Sequence, residues 1–274
     1  MRGTGRAFRG GKAFIGYVAG GDPSIEKTGE FVLEMAGAGA DLVEIGVPFS
    51  DPVAEGPVIQ EASIRALRAG ATPEKLLALA ERLRGKTDVP LALMAYANTV
   101  FRRGFGAFFD RAAGAGIDGV IIPDMPFEEQ APAREEAARR GIDLISLVAP
   151  TTSASSAGRL RKIAKSASGF VYVVSSMGVT GVRGEMGGGL GATIAELRRE
   201  TGAPLAVGFG IHSPEQAASV ARIADGVIVG SAIVKIAAEL GDAAGPAIFE
   251  YVAKMKAALR LAAPPPPAEG PPAG

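Results

Sequence analysis

Three carboxylates stand close together in one stretch of this chain. Residues 43–57 read Val-Glu-Ile-Gly-Val-Pro-Phe-Ser-Asp-Pro-Val-Ala-Glu-Gly-Pro. Glu44 interrupts the short apolar run Asp41–Gly46, which has the length and composition of a buried strand. A carboxylate buried there is costly unless it is neutralised or paired. Asp51 and Glu55 follow in a loop whose prolines and glycines restrict the backbone. Three acids converging on one strand end point to proton transfer. The competing reading puts Glu44 at an exposed edge with the loop acids solvated. For α/β chains in general the two are evenly balanced, and the rest of this sequence favours the first.

Positioning these acids requires a scaffold, and the apolar pattern supplies one. Strand-length apolar runs recur at Phe14–Val18, Leu42–Ile45, Leu91–Ala95, Gly119–Ile122, Leu144–Val148, Phe170–Val174, Leu205–Val207 and Gly226–Val229. Helix-like segments rich in Ala, Glu, Arg and Leu separate them, among them Ser24–Ala38, Pro73–Arg84, Phe105–Ala115, Glu128–Arg140, Ser153–Ser166, Gly191–Thr201, Pro214–Ala221 and Ala232–Leu240. Start signals precede several: Asp22-Pro23-Ser24, Thr72-Pro73-Glu74 and Ser213-Pro214-Glu215. Continuous apolar strands alternating with helices predict a parallel sheet covered on its outer faces. Eight such units fit a single (β/α)8 TIM barrel over residues 1–261. No Gly-x-Gly-x-x-Gly follows the first strand, which argues against a dinucleotide fold. The tail, residues 262–274, is proline-rich and is expected to be disordered or extended.

In such a barrel the site lies at the C-terminal strand ends, and phosphate often binds after the last two strands. Here those places read Val207-Gly208-Phe209-Gly210-Ile211 and Val229-Gly230-Ser231-Ala232. Glycines let backbone N–H groups approach an anion, and Ser231 opens a helix whose dipole favours it. The loop after strand six, residues 175–189, is long and glycine-rich and reads as a closing lid, with Gly181 contributing to the anion site. Tyr172, in strand six, is placed to aim its hydroxyl into the barrel mouth.

Absences narrow the chemistry. There is no cysteine, so no disulfide, thiol nucleophile or thiolate metal site. No lysine lies in a strand run or at its C-terminal end, which argues against a Schiff base. The only histidine, His212, cannot build a histidine-rich metal centre and is read as a surface residue beside a helix cap. Lys plus Arg equal Asp plus Glu at 29 each, with no basic stripe for nucleic acid. No apolar segment of transmembrane or signal-peptide character is present, so a soluble cytoplasmic protein is expected. What remains is carboxylate-driven carbon or proton chemistry on a phosphorylated substrate.

The run Glu44-Ile45-Gly46-Val47-Pro48-Phe49-Ser50-Asp51-Pro52 closely resembles the signature of the tryptophan synthase alpha subunit family. The resemblance continues through Gly21-Asp22-Pro23, Tyr96-Ala97-Asn98, Pro123-Asp124-Met125-Pro126, Gly178-Val179-Thr180-Gly181, Gly208-Phe209-Gly210-Ile211 and Gly230–Lys235, covering roughly residues 13–260 in order. It implies retro-aldol cleavage of indole-3-glycerol phosphate to indole and glyceraldehyde 3-phosphate, with no cofactor or metal on this chain. It also implies a partner, the pyridoxal-phosphate beta subunit, in an alpha2-beta2 heterotetramer. By position the catalytic pair falls on Glu44 and Glu55. Substrate contacts are expected from Tyr172, Thr180, Gly181, Gly208, Phe209, Gly210, Gly230 and Ser231. Pro48 and Asp51 belong to the loop expected to meet the partner, and Thr180 is expected to bond Asp51 or Glu55 when the lid closes.

Three departures stand out. Glu55 occupies a position where the family usually carries aspartate, so its carboxylate has one more methylene to accommodate. The segment before Phe14 is short and glycine-rich, which puts the family's leading helix in doubt. Ser176 stands where many members have a basic residue. Two alternatives therefore stay open at the level of sequence: a non-catalytic activator of the beta subunit, with Glu55 as a mark of decay, and a stand-alone phosphate-binding barrel enzyme. The intact glycine loops and Glu44 argue against decay.

Overall fold

A computed structural model of the chain describes residues 3–149, 157–175, 188–208 and 210–261. Eight parallel strands close into a barrel in sequence order, β1 pairing with β8 through Ala13↔Gly226 to Gly16↔Val229. The strands are β1 (Ala13–Ala19), β2 (Leu42–Gly46), β3 (Leu91–Met94), β4 (Gly119–Ile121), β5 (Asp143–Val148), β6 (Val171–Val174), β7 (Leu205–Gly208) and β8 (Gly226–Val229). All eight predicted strands are present with ends shifted by at most a residue, and the TIM barrel is the fold. Strand boundaries are clear in the sequence because the strands are largely buried on both faces and, Glu44 in β2 and Asp143 and Ser146 in β5 apart, read as apolar runs.

The helices are α1 (Ile25–Gly37), α2 (Pro57–Arg68), α3 (Pro73–Leu83), α4 (Ala97–Phe101), α5 (Phe105–Gly114), α6 (Ala131–Arg139), α7 (Ala157–Lys165), α8 (Gly188–Glu200), α9 (Pro214–Ala221), α10 (Ser231–Leu240) and α11 (Gly245–Arg260). The expected start signals act as caps. Ser24 and Thr72 accept from the backbone N–H three residues on, and Ser213 and Gln216 form a reciprocal capping box. The segment expected to be helical from Glu128 divides into a 3-10 turn, Phe127–Glu129, and α6. Three helices were not anticipated: α2, α4 and α11. Gly56-Pro57 reads as loop punctuation, yet Pro57 is the first helical residue, a position that tolerates its missing N–H.

Two apolar layers hold the barrel. One lies between strands and helices. The other fills the interior with Ile15, Leu42, Ala92, Ile121, Ile145, Phe170, Ala206 and Ile228. The N-terminal end is stoppered by a short 3-10 helix, Thr4–Phe8, where the sequence left a leading helix in doubt. Ala7 joins the interior cluster and the Phe8 ring lies 5.5 Å from that of Phe170. Thr4 donates to Asp143 at 2.8 Å. At the opposite end, the strand termini open into the cavity described next. The proline-rich tail, residues 262–274, lies outside the described residues.

Candidate active site

Glu44 is the third of five residues in β2, and its side chain points into the barrel rather than to an edge. It is fully buried, and among the described residues neither carboxylate oxygen has a hydrogen-bond partner. Burial without compensation favours the neutral acid and pushes its pKa up to about 8. The group is therefore protonated at neutral pH and close to the point of releasing its proton. It lines a cavity of about 500 Å³, within the usual size for a small-molecule site.

Glu55 enters the same cavity from the loop after β2 and is half-buried. Two hydrogen bonds seat the loop: Ala54 N–H donates to the Tyr96 hydroxyl at 3.0 Å, and the Gln60 amide donates to the Glu55 carbonyl at 2.9 Å. The Tyr96 hydroxyl in turn donates to the Glu55 carboxylate. Tyr96 stands two residues past the end of β3 and stacks on Phe49 at 4.7 Å, which fixes its ring. Partial burial raises the pKa of Glu55, while the Tyr96 bond acts in the opposite sense. Asp51, the third acid of the motif, is exposed. Pro48 is buried at the base of the loop. The carboxylates thus separate into a pair in the cavity, Glu44 buried and Glu55 half-buried, and one surface acid.

Two tyrosines reach the cavity beside Glu44. Tyr17, on β1, is the register neighbour of Glu44, and Tyr172 comes from β6. Burial holds both hydroxyls above the ordinary tyrosine range, the nearby acids adding to it. Each ring fills the space that a side chain would take on the next strand: a Cβ at Gly46 would overlap the Tyr17 hydroxyl, and one at Gly208 would overlap that of Tyr172. The rest of the wall is mostly apolar, with Ile59, Met94, Leu147, Val174 and Ile228.

At the far side of the cavity stand Gly210, Gly230 and Ser231. Gly210 has φ of 78°, a conformation glycine takes readily. Gly230 precedes α10 and Ser231 is its first residue, so the free N–H groups of that first turn face this end. Thr180, Gly181 and Phe209 lie outside the described residues, as does most of the loop after β6. The structure therefore brings together Glu44, Glu55, Tyr172, Gly210, Gly230 and Ser231, and places Gly208 behind Tyr172. Sequence reading passed over Tyr17 and the seating role of Tyr96. Their only signal was position, one at the register of Glu44 and one just past a strand end. His212 is exposed, as expected, but also lines the cavity rim. Among the described residues no cluster of three potential metal ligands occurs.

Comparison with known proteins places this geometry. The family model described as tryptophan synthase alpha chain matches residues 6–260. The chain is 46% identical to the tryptophan synthase alpha chain of Lacticaseibacillus casei over 252 residues, 92% of this chain and 93% of that one. It is 50% identical to that of Carboxydothermus hydrogenoformans over 228 residues, covering 83% and 84% of the two. Among solved structures, the tryptophan synthase a2b2 complex of Pyrococcus furiosus superposes with a TM-score of 0.84 at 33% identity, covering 94% of this chain and 100% of the matched chain. The aminoacrylate-bound tryptophan synthase of M. tuberculosis gives 0.83 at 31% identity, over 94% and 99%. With the family matched from the stopper helix to the last helical residue, this chain belongs to the tryptophan synthase alpha chain family.

Proposed function

We propose that Glu44 and Glu55 are the pair of acids with which this chain cleaves indole-3-glycerol phosphate to indole and glyceraldehyde 3-phosphate. The cleavage is the lyase reaction of the family, a step of tryptophan biosynthesis. The observation that carries the assignment is Glu44 itself: a fully buried carboxyl with no partner for either oxygen among the described residues, facing a substrate-sized cavity. A structural acid would be paired. An unpaired one held neutral near pH 7 is suited to give up a proton and take one back.

The chemistry follows from the two positions. The protonated Glu44 delivers its proton to indole C3, which makes the ring a leaving group and leaves Glu44 as a carboxylate. That carboxylate then removes the proton of the side-chain hydroxyl as the carbon–carbon bond breaks and the aldehyde forms. Glu44 is thereby restored, and no proton is consumed. Glu55 accepts from indole N1–H and stabilises the positive charge that C3 protonation sends toward N1. Tyr96 sets where the longer glutamate ends, by donating to its carboxylate. The glycine and serine turns at Gly210, Gly230 and Ser231 hold the phosphate, which positions the reacting bond. Gly208 serves this site by making room for Tyr172, which bounds the indole end. Thr180, Gly181 and Phe209 complete the substrate contacts in this reading.

The reaction uses no cofactor on this chain, pyridoxal phosphate belonging to the beta subunit of an alpha2-beta2 complex. The loop with Pro48 and Asp51 is the surface proposed to meet that subunit. Two exposed apolar side chains support it, Val53 at 77% and Phe101 at 70% exposure, standing in the connections after β2 and β3 at the cavity end. Among the described residues no helix is long and apolar enough to cross a membrane, and we place the protein in the cytoplasm.

The test is indole release by Glu44→Gln, with and without a beta subunit. The amide keeps the shape but cannot shuttle a proton, so release is abolished while glycerol phosphate binding stays near normal. Activity within about tenfold of the unmodified protein would remove Glu44 from the mechanism.

A further inference from the structure

The chain has one histidine, and the fold brings it to the rim of the cavity beside the glycine and serine turns. His212 lies between β7 and α9 and is tied down along its backbone. Its N–H donates to the Gln216 side chain at 2.9 Å, and its carbonyl accepts from the Tyr251 hydroxyl of α11 at 3.0 Å. The ring is tied as well: Nδ1 stands 3.0 Å from the carbonyl oxygen of Gly210. A carbonyl oxygen can only accept, so Nδ1 is the nitrogen that carries hydrogen. This fixes the behaviour of the other nitrogen. In the neutral ring Nε2 is a bare lone pair, which repels an anion. In the protonated ring it is a charged N–H donor.

We propose that His212 is a binding residue for the phosphate end of the substrate, its imidazolium offering Nε2–H to a tetrahedral dianion held at Gly210, Gly230 and Ser231. The inference rests on the phosphate reading above and extends it to a side chain. It makes phosphate binding conditional on the state of one imidazole, because the bond to Gly210 prevents the neutral ring from moving its hydrogen to the cavity side without losing that bond.

The other ionisable groups around His212 act differently. Glu215, in the first turn of α9, is held as a carboxylate by its bond with Ser213. Burial raises the Tyr251 hydroxyl to about 12, so it stays neutral. Lys235 of α10 is paired with Glu239 at 3.7 Å. Inside the cavity Tyr17 and Tyr172 are neutral, Glu55 is raised by burial, and Glu44 changes charge near pH 8. Because Glu44 changes charge near pH 8, the test is made with that carboxyl removed and reads His212 directly.

A single histidine gives a single imidazole Hε1 signal, so proton NMR on the full chain follows His212 without assignment. Sulfate is the probe, a tetrahedral dianion that does not itself titrate in this range. A dianion bound against the ring changes the surroundings of that proton. Saturating sulfate is expected to shift the Hε1 signal of His212 along a saturable binding curve. On a Glu44→Gln background, His212→Gln should weaken sulfate binding roughly 3–10-fold, because its amide carries no charge. Bound sulfate with equal affinity in the two proteins overturns this inference and leaves the phosphate site standing. Failure of sulfate and of glycerol phosphate to bind either protein overturns the phosphate site, and this inference with it.

Discussion

Replacing Glu44 with glutamine should stabilise the folded protein as it removes the activity, and the size of that gain should depend on pH. The carboxyl titrates at about 4.5 in an open chain and at about 8 in the fold, because burial strips water from its charged form. Each pKa unit between the two states is about 1.4 kcal/mol, so a folded protein with Glu44 ionised carries a cost of up to about 5 kcal/mol. Between those two values the folded protein holds a proton that the unfolded chain has released. Stability therefore falls as pH rises through that window. The loss is absent below about pH 4.5, amounts to about 3 kcal/mol at pH 7, and levels off above about pH 8. Glutamine has nothing to ionise and escapes the loss. For a domain of this size 1 kcal/mol moves the thermal midpoint by roughly 2–4 °C. The two proteins should melt together near pH 4.5 and separate by several degrees at neutral pH, the variant higher. Thermal unfolding followed at a series of pH values reads this directly. Parallel curves across the window would mean that Glu44 reaches water or a partner in the folded protein, and the assignment of its proton chemistry would fall. The same ionisation should lower kcat/KM above about pH 8, since the proton destined for C3 is then missing.

The second acid and its seat give further expectations. Glu55→Ala should lose most single-turnover cleavage, whereas Glu55→Asp should retain it, since either acid carries the charge that indole N1–H requires. Tyr96→Phe removes the bond that holds the Glu55 pKa down, so the acidic limb of the pH–rate profile should move to higher pH. Gly46→Ala would press its methyl group into the Tyr17 hydroxyl and should cost about 1–3 kcal/mol on unfolding, with lower kcat/KM. Gly202→Ala, between α8 and β7, where a Cβ meets nothing within 4 Å, should leave stability unchanged and serves as the control.

Much of this was legible in the residues because the barrel is built from elements that announce themselves. Phe14, Leu93, Val120 and Val229 sit in runs with no polar break, and Ser24, Thr72 and Ser213 mark helix starts by a chemistry that works locally. Glu44 was legible for the opposite reason, as a charge where the pattern demands an apolar residue. What escaped depends on contacts between distant segments. Nothing local in Tyr96 reports that the loop carrying Ala54 and Glu55 folds back on it, 41 residues away. His212 reads as a polar residue before a helix cap, and only the closure of the barrel brings it level with Ser231. The helix α2 escaped because Gly56 and Pro57, breakers in most settings, here begin it.

The glycines show why residue type and function are linked less directly than the sequence suggests. Gly208, Gly210 and Gly230 look alike as strand-end glycines that let an anion approach. In the fold Gly208 is already occupied: its missing side chain is the slot for Tyr172, as Gly46 is for Tyr17 on the other side of the barrel. These two glycines turn tyrosine rings from β6 and β1 over their neighbouring strands, where they narrow the space around Glu44. Without that narrowing Glu44 would meet water, its pKa would return toward the ordinary carboxylate range, and it would enter the reaction already deprotonated. Glycine thus serves the proposed mechanism twice. At Gly210 and Gly230 it leaves the backbone open to phosphate, and at Gly46 and Gly208 it lets aromatic rings keep the catalytic acid dry. The proton chemistry of β2 then depends as much on what is missing from Gly46 as on what is present at Glu44.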